Sequence, residues 1–480
     1  MTLVAIAVYA LFLIGLGTYS SRRVQSQEDY LVAGRKLPLW LAWGTLLATW
    51  FGAGTVIGAS EAAREEGLRG TLLDPFASGL ALIVAGLFFA RPMWNMKLLT
   101  MGDFFARRYG PRTEVVSSLV QAVSYFPWLA AQFVALGGLL SAELAWPIEL
   151  SICVAAIFVL FLTASGGMWS VTLTDTAQAF VLLIALAILG HAFFESLGQG
   201  SAARGLEQTW QQTPSELRSL LPANYGLAWL AWTSTLVVGV LGNIPGQDLM
   251  QRVFAARSAT VAVRACVLAG CVYIVFGLLP VMLGLASRIA LPDAATSGIL
   301  NRLAAQVLTG PMRMVFVVAL LSIIVSTATS ALLSPGSLLA RNVLEHFAWC
   351  QRRPLATDRW CVLASMLISL ALAFADQQVL VLLENALEIS LVALLVPFLF
   401  AFFWQPRSDL VGVLAIVLGV GVWGAHTLLG AWLLPAEVAP SQATWWQCVW
   451  LLPSALLGLA ASALGCSIGQ LAGPPKNGIG

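Results

Sequence analysis

Gly52-Ala53-Gly54-Thr55-Val56-Ile57-Gly58 and Gly242-Asn243-Ile244-Pro245-Gly246-Gln247-Asp248 interrupt two otherwise apolar stretches of membrane-span length. Helix breakers there free main-chain N–H and C=O groups, and in hydrocarbon each unpaired group costs several kcal/mol. Non-helical backbone is therefore tolerated at membrane depth only where it lines a cavity or is buried in protein. The two interruptions lie five spans apart, at corresponding positions of two halves. That is the pattern expected of an inverted-repeat transporter with its binding site between the breaks, Gly52, Gly58, Gly242 and Pro245 serving as hinge points. Close helix packing is the competing reading of either glycine cluster alone, and it weakens for the pair.

The surrounding sequence fits lipid as its solvent. Of 480 residues, 59% are apolar and 10% charged, with 18 Trp and 23 Phe. Hydropathy predicts about thirteen spans, near 2–20, 39–60, 70–90, 113–142, 147–166, 169–192, 226–250, 258–286, 299–334, 359–375, 378–404, 409–428 and 447–468. Leu and Ala outnumber alternating patterns, which excludes an outer-membrane barrel and predicts an all-α integral membrane protein with a 5+5 inverted-repeat core. The organisation expected is an extra N-terminal helix and loop over 1–38, a first repeat over 39–192, an extracellular loop over 193–225, a second repeat over 226–404 and two accessory helices over 405–480. With the N-terminus outside and the C-terminus in the cytoplasm, 18 of the 25 Lys and Arg fall inside and 7 outside. The first segment lacks a basic start and a small-residue cleavage site, so it is expected to be retained in an inner membrane. A net charge of +2 offers nothing to nucleic acid, and the seven Cys show no CxxC pair or metal spacing. Three scattered His and no nucleophile–base set argue against an enzyme.

Polar residues within spans are the remaining pointers. Ser326, Thr327, Thr329, Ser330 and Ser334 put five hydroxyls in nine residues of an apolar helix, the oxygen ligands that a hard cation such as sodium takes. Asp175, flanked by Thr174, Thr176 and Gln178 in the sixth span, reads as a cation or substrate group, or as an ion pair with an Arg of the inner loops. Asp74, beside Pro75, lies level with the first break, where it either meets a cationic or hydroxyl-bearing solute or caps a kinked helix. Trp50, Phe76 and Trp128 are expected to wall the pocket. Glu384 and Glu388 read as a solvated pair at a helix end, or as part of an outer vestibule.

Several motifs, in order over about residues 25–345, resemble the sodium:solute symporter family: Asp29-Tyr-Leu-Val-Ala-Gly34-Arg35, Met101-Gly-Asp103 with Arg108-Tyr-Gly110, Ser165-Gly-Gly through Asp175-Thr-Ala-Gln178, Gln251-Arg252, and Ser326-Thr327. Ala48-Thr-Trp50-Phe-Gly52-Ala-Gly54, Arg91-Pro-Met93 and Ala340-Arg-Asn342 look most like its choline-transporter branch. The resemblance implies a leucine-transporter-type fold and a sodium site formed by the carbonyls of Ala48, Phe51 and Ile323 with the hydroxyls of Ser326 and Thr327. It implies a second sodium near Asp175, with Thr174 and Ser326 or Ser330 as companions, and a substrate pocket around Trp50, Gly54, Asp74, Phe76, Ser78, Trp128 and Gly246. Gly246 and Ser78 stand where the choline branch carries aromatic rings. At about 1–2 kcal/mol per lost cation–π contact, choline affinity falls by about one or two decades.

The function expected is sodium-coupled symport of an organic cation, amino acid or vitamin-like solute by alternating access. Its partners are sodium, that solute and the bilayer, with no nucleic acid and no cofactor beyond the coupling ion. A solute sensor of the same fold and a proton-coupled symporter through Asp175 are the alternatives. No signalling module follows the last span in this sequence, which favours transport.

Overall fold

The computed structural model describes residues 2–223, 226–375, 386–433 and 445–473, and among these the chain is helical apart from turns and one isolated β-bridge. Among the described residues ten helices are long and apolar enough to cross a membrane. The thirteen spans of the sequence reading divide differently because helix bounds do not coincide with hydropathy bounds. The fifth and sixth lie in one run, Ile148–Leu197, divided only by the non-helical Gly167 (φ 49°, ψ −139°). The third is continuous with the C-terminal part of the second in Gly54–Asn95, broken at Asp74 (φ −142°, ψ 121°). The seventh is two short pieces.

The first broken helix consists of α1, Leu39–Trp50, and α2, Ala59–Glu66, joined by a bend and a wide turn over Gly54–Gly58. The second consists of α3, Leu227–Leu241, and α4, Gln247–Ala255. Local bonding explains how both breaks survive in an apolar interior. At the first, the Trp50 carbonyl accepts from the Tyr273 hydroxyl (3.0 Å) and from Thr55 Oγ1 (3.3 Å). At the second, Gln121 Nε2 donates to the Pro245 carbonyl (2.7 Å) and Ser390 Oγ to that of Gly242 (3.0 Å). Asn243 Nδ2 donates back to Gly239 (2.8 Å). Side chains thus replace the bonds that a continuous helix makes to itself.

Against this pair packs α5, Gly310–Leu338, the most enclosed of the long helices: 89% of its most apolar window is buried, against 17% for the N-terminal helix Thr2–Ser21. The latter leans on Ile148–Leu197 as a peripheral addition. Two bonds tie the end of α4 to the strand-like segment before α1: Leu37 N–H donates to Ala255 O (3.1 Å) and Arg257 N–H to Leu37 O (2.9 Å). Gln251 Nε2 adds a third to Leu31 O (2.6 Å). The two breaks therefore share one fixed end.

Small residues set the helix separations. A Cβ on Gly270, in the helix Ala259–Ala290, would lie 2.6 Å from the Gly79 carbonyl and from Ile83 Cγ1, whereas one on Gly138 meets nothing within 4 Å. Gly270→Val is expected to lower the thermal unfolding midpoint of the detergent-purified protein by the equivalent of about 1–3 kcal/mol. Gly138→Ala should leave it unchanged.

Candidate functional site

A cavity of about 290 Å³ lies between the two breaks. From the first break Trp50, Gly52, Gly54 and Gly58 reach it; from the second, Gly242 and Gly246. Asp74, Ser78 and Trp128 complete the part foreseen from sequence, and Glu66 and Arg69 line its far end. Phe76 does not line it: Ser78 and Phe76 are about 200° apart around a helix, so only one can face the cavity. Pro245 also stands outside, engaged through its carbonyl with Gln121.

Of the carboxylates lining the cavity, Asp74 bonds to the first break and Asp248 belongs to the second. Asp74 accepts from the Tyr273 hydroxyl (2.6 Å) and from Thr55 Oγ1 (3.0 Å), so it clamps the first broken helix to the helix Ala259–Ala290. Asp248, at the start of α4, accepts from the Tyr125 hydroxyl (2.5 Å). Tyr125 in turn accepts from the Asp248 main-chain N–H (3.0 Å) and packs at 5.6 Å against Trp128. Asp248, Tyr125 and Tyr273 were not singled out in the sequence reading. Asp248 stands in the quoted break, but an Asp four residues before an Arg reads as an exposed helix pair.

The oxygens proposed from resemblance for sodium converge in part. Thr327 Oγ1 lies 3.4 Å from Ala48 O and 3.2 Å from Ile323 O, joining the last turn of α1 to α5. Gly52 permits this approach, because a Cβ there would stand 2.7 Å from Thr327 Oγ1. Phe51, where the helix ends, is buried with its ring edge-on to Tyr273 at 5.3 Å. Ser326 Oγ, one position along α5, turns to Asp175 Oδ1 (2.7 Å).

Asp175 is fully buried, and its cationic partner is Arg252 of α4, with Nη2 3.4 Å from Oδ2. The carboxylate also accepts from Thr45 (2.7 Å), Thr49 (3.4 Å) and Ser330 (3.4 Å). Arg252 Nη2 further contacts Ser330 Oγ, while Nε reaches Thr45 Oγ1 (3.2 Å) and Nη1 its own helix at Asp248 O (2.8 Å). Ser330 thus joins Asp175, but Thr174 does not. Adjacent helical residues point about 100° apart, and Thr174 Oγ1 bonds back to Ser170 O (2.9 Å) and Val171 O (3.1 Å). Of the outer glutamates, Glu384 lies outside the described residues. Glu388 is half-buried, accepts from Trp423 Nε1 (2.6 Å) and Ser454 Oγ (3.2 Å), and does not line the cavity.

Two broken helices around a common cavity define a class of membrane protein. The fold matches that of a sodium-coupled sialic acid symporter, solved substrate-bound and outward-open, with a TM-score of 0.79 at 16% identity over 99% of this chain and 98% of that one. It also matches a nucleobase-cation-symport-1 family transporter solved closed with bromovinylhydantoin (TM-score 0.57, 15% identity, 92% and 95% covered). This is the leucine-transporter-type, inverted-repeat fold expected from the sequence. Residues 30–418 match the sodium:solute symporter family, and the chain belongs to it as a multi-pass membrane protein. It is 28% identical over 370 residues to the human high affinity choline transporter 1, covering 72% of this chain and 62% of that protein. It is 25% identical over 311 residues to the sodium/glucose cotransporter of Vibrio parahaemolyticus, covering 62% and 57%. The chain thus spans about three fifths of the length of these relatives, which are transporters and not enzymes.

Breaking a buried ion pair from one side leaves an uncompensated charge, at a cost of about 3–5 kcal/mol. Arg252→Leu should therefore lower the unfolding midpoint strongly. The double variant with Asp175→Asn is expected to recover much of that loss, measured by thermal denaturation in detergent, giving a coupling that two independent structural defects lack.

Proposed function

We propose that this protein is a sodium-coupled secondary symporter that imports a small organic solute by alternating access, with the solute bound between the two breaks. The observation that carries the reading is the meeting of the Ala48 carbonyl, the Ile323 carbonyl and Thr327 Oγ1 where α1 ends against α5. These oxygens suit a hard monovalent cation, and the resemblance adds the Phe51 carbonyl and the Ser326 hydroxyl, which here donates to Asp175. Sodium bound there bridges the break to α5 and so orders the Trp50–Gly54 wall of the cavity, which couples ion to solute. The motif resemblance and the relatives' names support the same ion.

The orientation proposed puts the N-terminus outside and the C-terminus in the cytoplasm of an inner membrane, on the distribution of Lys and Arg. The sequence division into two repeats with flanking helices belongs to the same reading. No cofactor is required beyond sodium. A second sodium at Asp175 belongs to it only in a conformation from which Arg252 has withdrawn, since the guanidinium now meets that carboxylate. A tenfold sodium gradient and 100 mV together supply about 3.7 kcal/mol per ion, enough for about several-hundredfold accumulation of a neutral solute.

Sodium binding is expected to raise the unfolding midpoint relative to potassium, by the equivalent of about 2.7 kcal/mol at one hundred times its dissociation constant. Ser326→Ala combined with Thr327→Ala should remove the difference, on top of a lower midpoint in both salts because Ser326 Oγ donates to the buried Asp175. Equal midpoints in the two salts for the unaltered protein would rule out sodium coupling.

A further inference from the structure

The polar groups facing the cavity are not matched by one another. Among the described residues its lining carries three carboxylates, Glu66, Asp74 and Asp248, against one guanidinium, Arg69. Arg252 does not correct the imbalance, because its Nη2 is engaged by Asp175 and Ser330 and its Nη1 takes the main-chain carbonyl of Asp248, not the carboxylate. Asp248 is 5% exposed, and its Oδ2 has no hydrogen-bond partner among the described residues. Gln132 Oε1, on the same lining and 1% exposed, is likewise an acceptor without a donor. A buried acceptor left without a donor is costly, and a carboxylate more so. Asp74 differs, since Tyr273 and Thr55 already donate to it.

Among the described residues the cavity therefore lacks a cation for its excess carboxylates and donors for Asp248 and Gln132, while Trp50 Nε1 is an N–H without an acceptor on the same lining. A quaternary ammonium carries no donor on the charged group, so in choline the hydroxyl donates from a separate neutral group, and the methyl groups hold the nitrogen away from a carboxylate oxygen. A polyol brings donors but no charge. A protonated amine brings both in one group. We propose that the solute is a small aliphatic amine whose ammonium N–H is received by the carboxylate of Asp248, making Asp248 the residue that selects protonated amines over quaternary ones. Trp50 and Trp128 flank such a head group without distinguishing the two, because a ring face attracts either cation. This inference rests on the symporter reading for the location of the solute, but not on its coupling ion.

The test is a methylation series on the full-length purified protein: ethanolamine, N-methylethanolamine, N,N-dimethylethanolamine and choline, with inositol as the neutral polyol. Binding is read by thermal shift titration in sodium and again in potassium, and by uptake into proteoliposomes. Ethanolamine is expected to bind and choline to bind about tenfold or more weaker, the loss of one charge-assisted hydrogen bond. Asp248→Asn should cut ethanolamine affinity by about tenfold or more and flatten the series, with the sodium-induced shift retained. Choline binding as well as ethanolamine, inositol binding while the amines do not, or no amine binding in either salt would each overturn the proposal. Because the series is read on the unaltered protein, an Asp248 variant that fails to fold leaves the test intact. Amine selectivity with no sodium effect would overturn sodium coupling alone.

Discussion

The guanidinium of Arg252 is the contact on which the core arrangement depends. It is 1% exposed, and through Thr45, Asp175 and Ser330 it joins the first broken helix, the helix Ile148–Leu197 and α5 to the second broken helix. A charge at that depth is tolerated only when its partners are numerous and well directed, because the desolvation of each ion otherwise exceeds the attraction between them. The surrounding hydroxyls serve that need: Thr45, Thr49, Ser326 and Ser330 share the carboxylate that balances it. One ion pair therefore specifies the relative placement of four helices that apolar packing alone would hold less selectively.

The two breaks are stabilised in different ways, and the difference bears on mechanism. The second is fastened by side chains from other helices, Gln121 and Ser390, and at its inner end by the pairing of Leu37 with Ala255 and Arg257. The first relies on Tyr273 and Thr55 around a single carbonyl and on glycines that admit Thr327. Toward α5 the first break carries the 3.4 Å contact of Thr327 with Ala48 O, so under the proposed function that side is the one whose order an ion bridging to α5 can change. Site and hinge thus share the same few residues, since backbone bent out of a helix supplies both carbonyl ligands and the freedom to move.

Helix α5 forms the common wall. Its hydroxyls divide by angle: Thr327 faces the first break, Ser326 and Ser330 face Asp175, and Thr329 bonds back to Ser326 O (2.9 Å). Neighbouring positions on one helix therefore serve the oxygens proposed for sodium and the ion-pair network separately, and a change at either is felt by the other through one rigid element.

The sequence by itself determined the membrane-spanning all-α class, the two breaks and the concentration of hydroxyls in α5, because hydropathy, helix breakers and polar groups in apolar runs are local properties. Resemblance added the pairing of Ala48 with Thr327. What only the tertiary structure decided was which partner each buried group meets. Asp175 was legible as unusual, but its bond to Arg252 crosses 77 positions and its loss of Thr174 turns on a helix angle. Phe76 was assigned to the pocket by proximity in sequence, yet a rotation of two residues carries it away. Asp248 was hidden because an acid one turn before an arginine ordinarily faces water, and only the closure of α4 against Tyr125 and Trp128 turns it into the wall of a cavity.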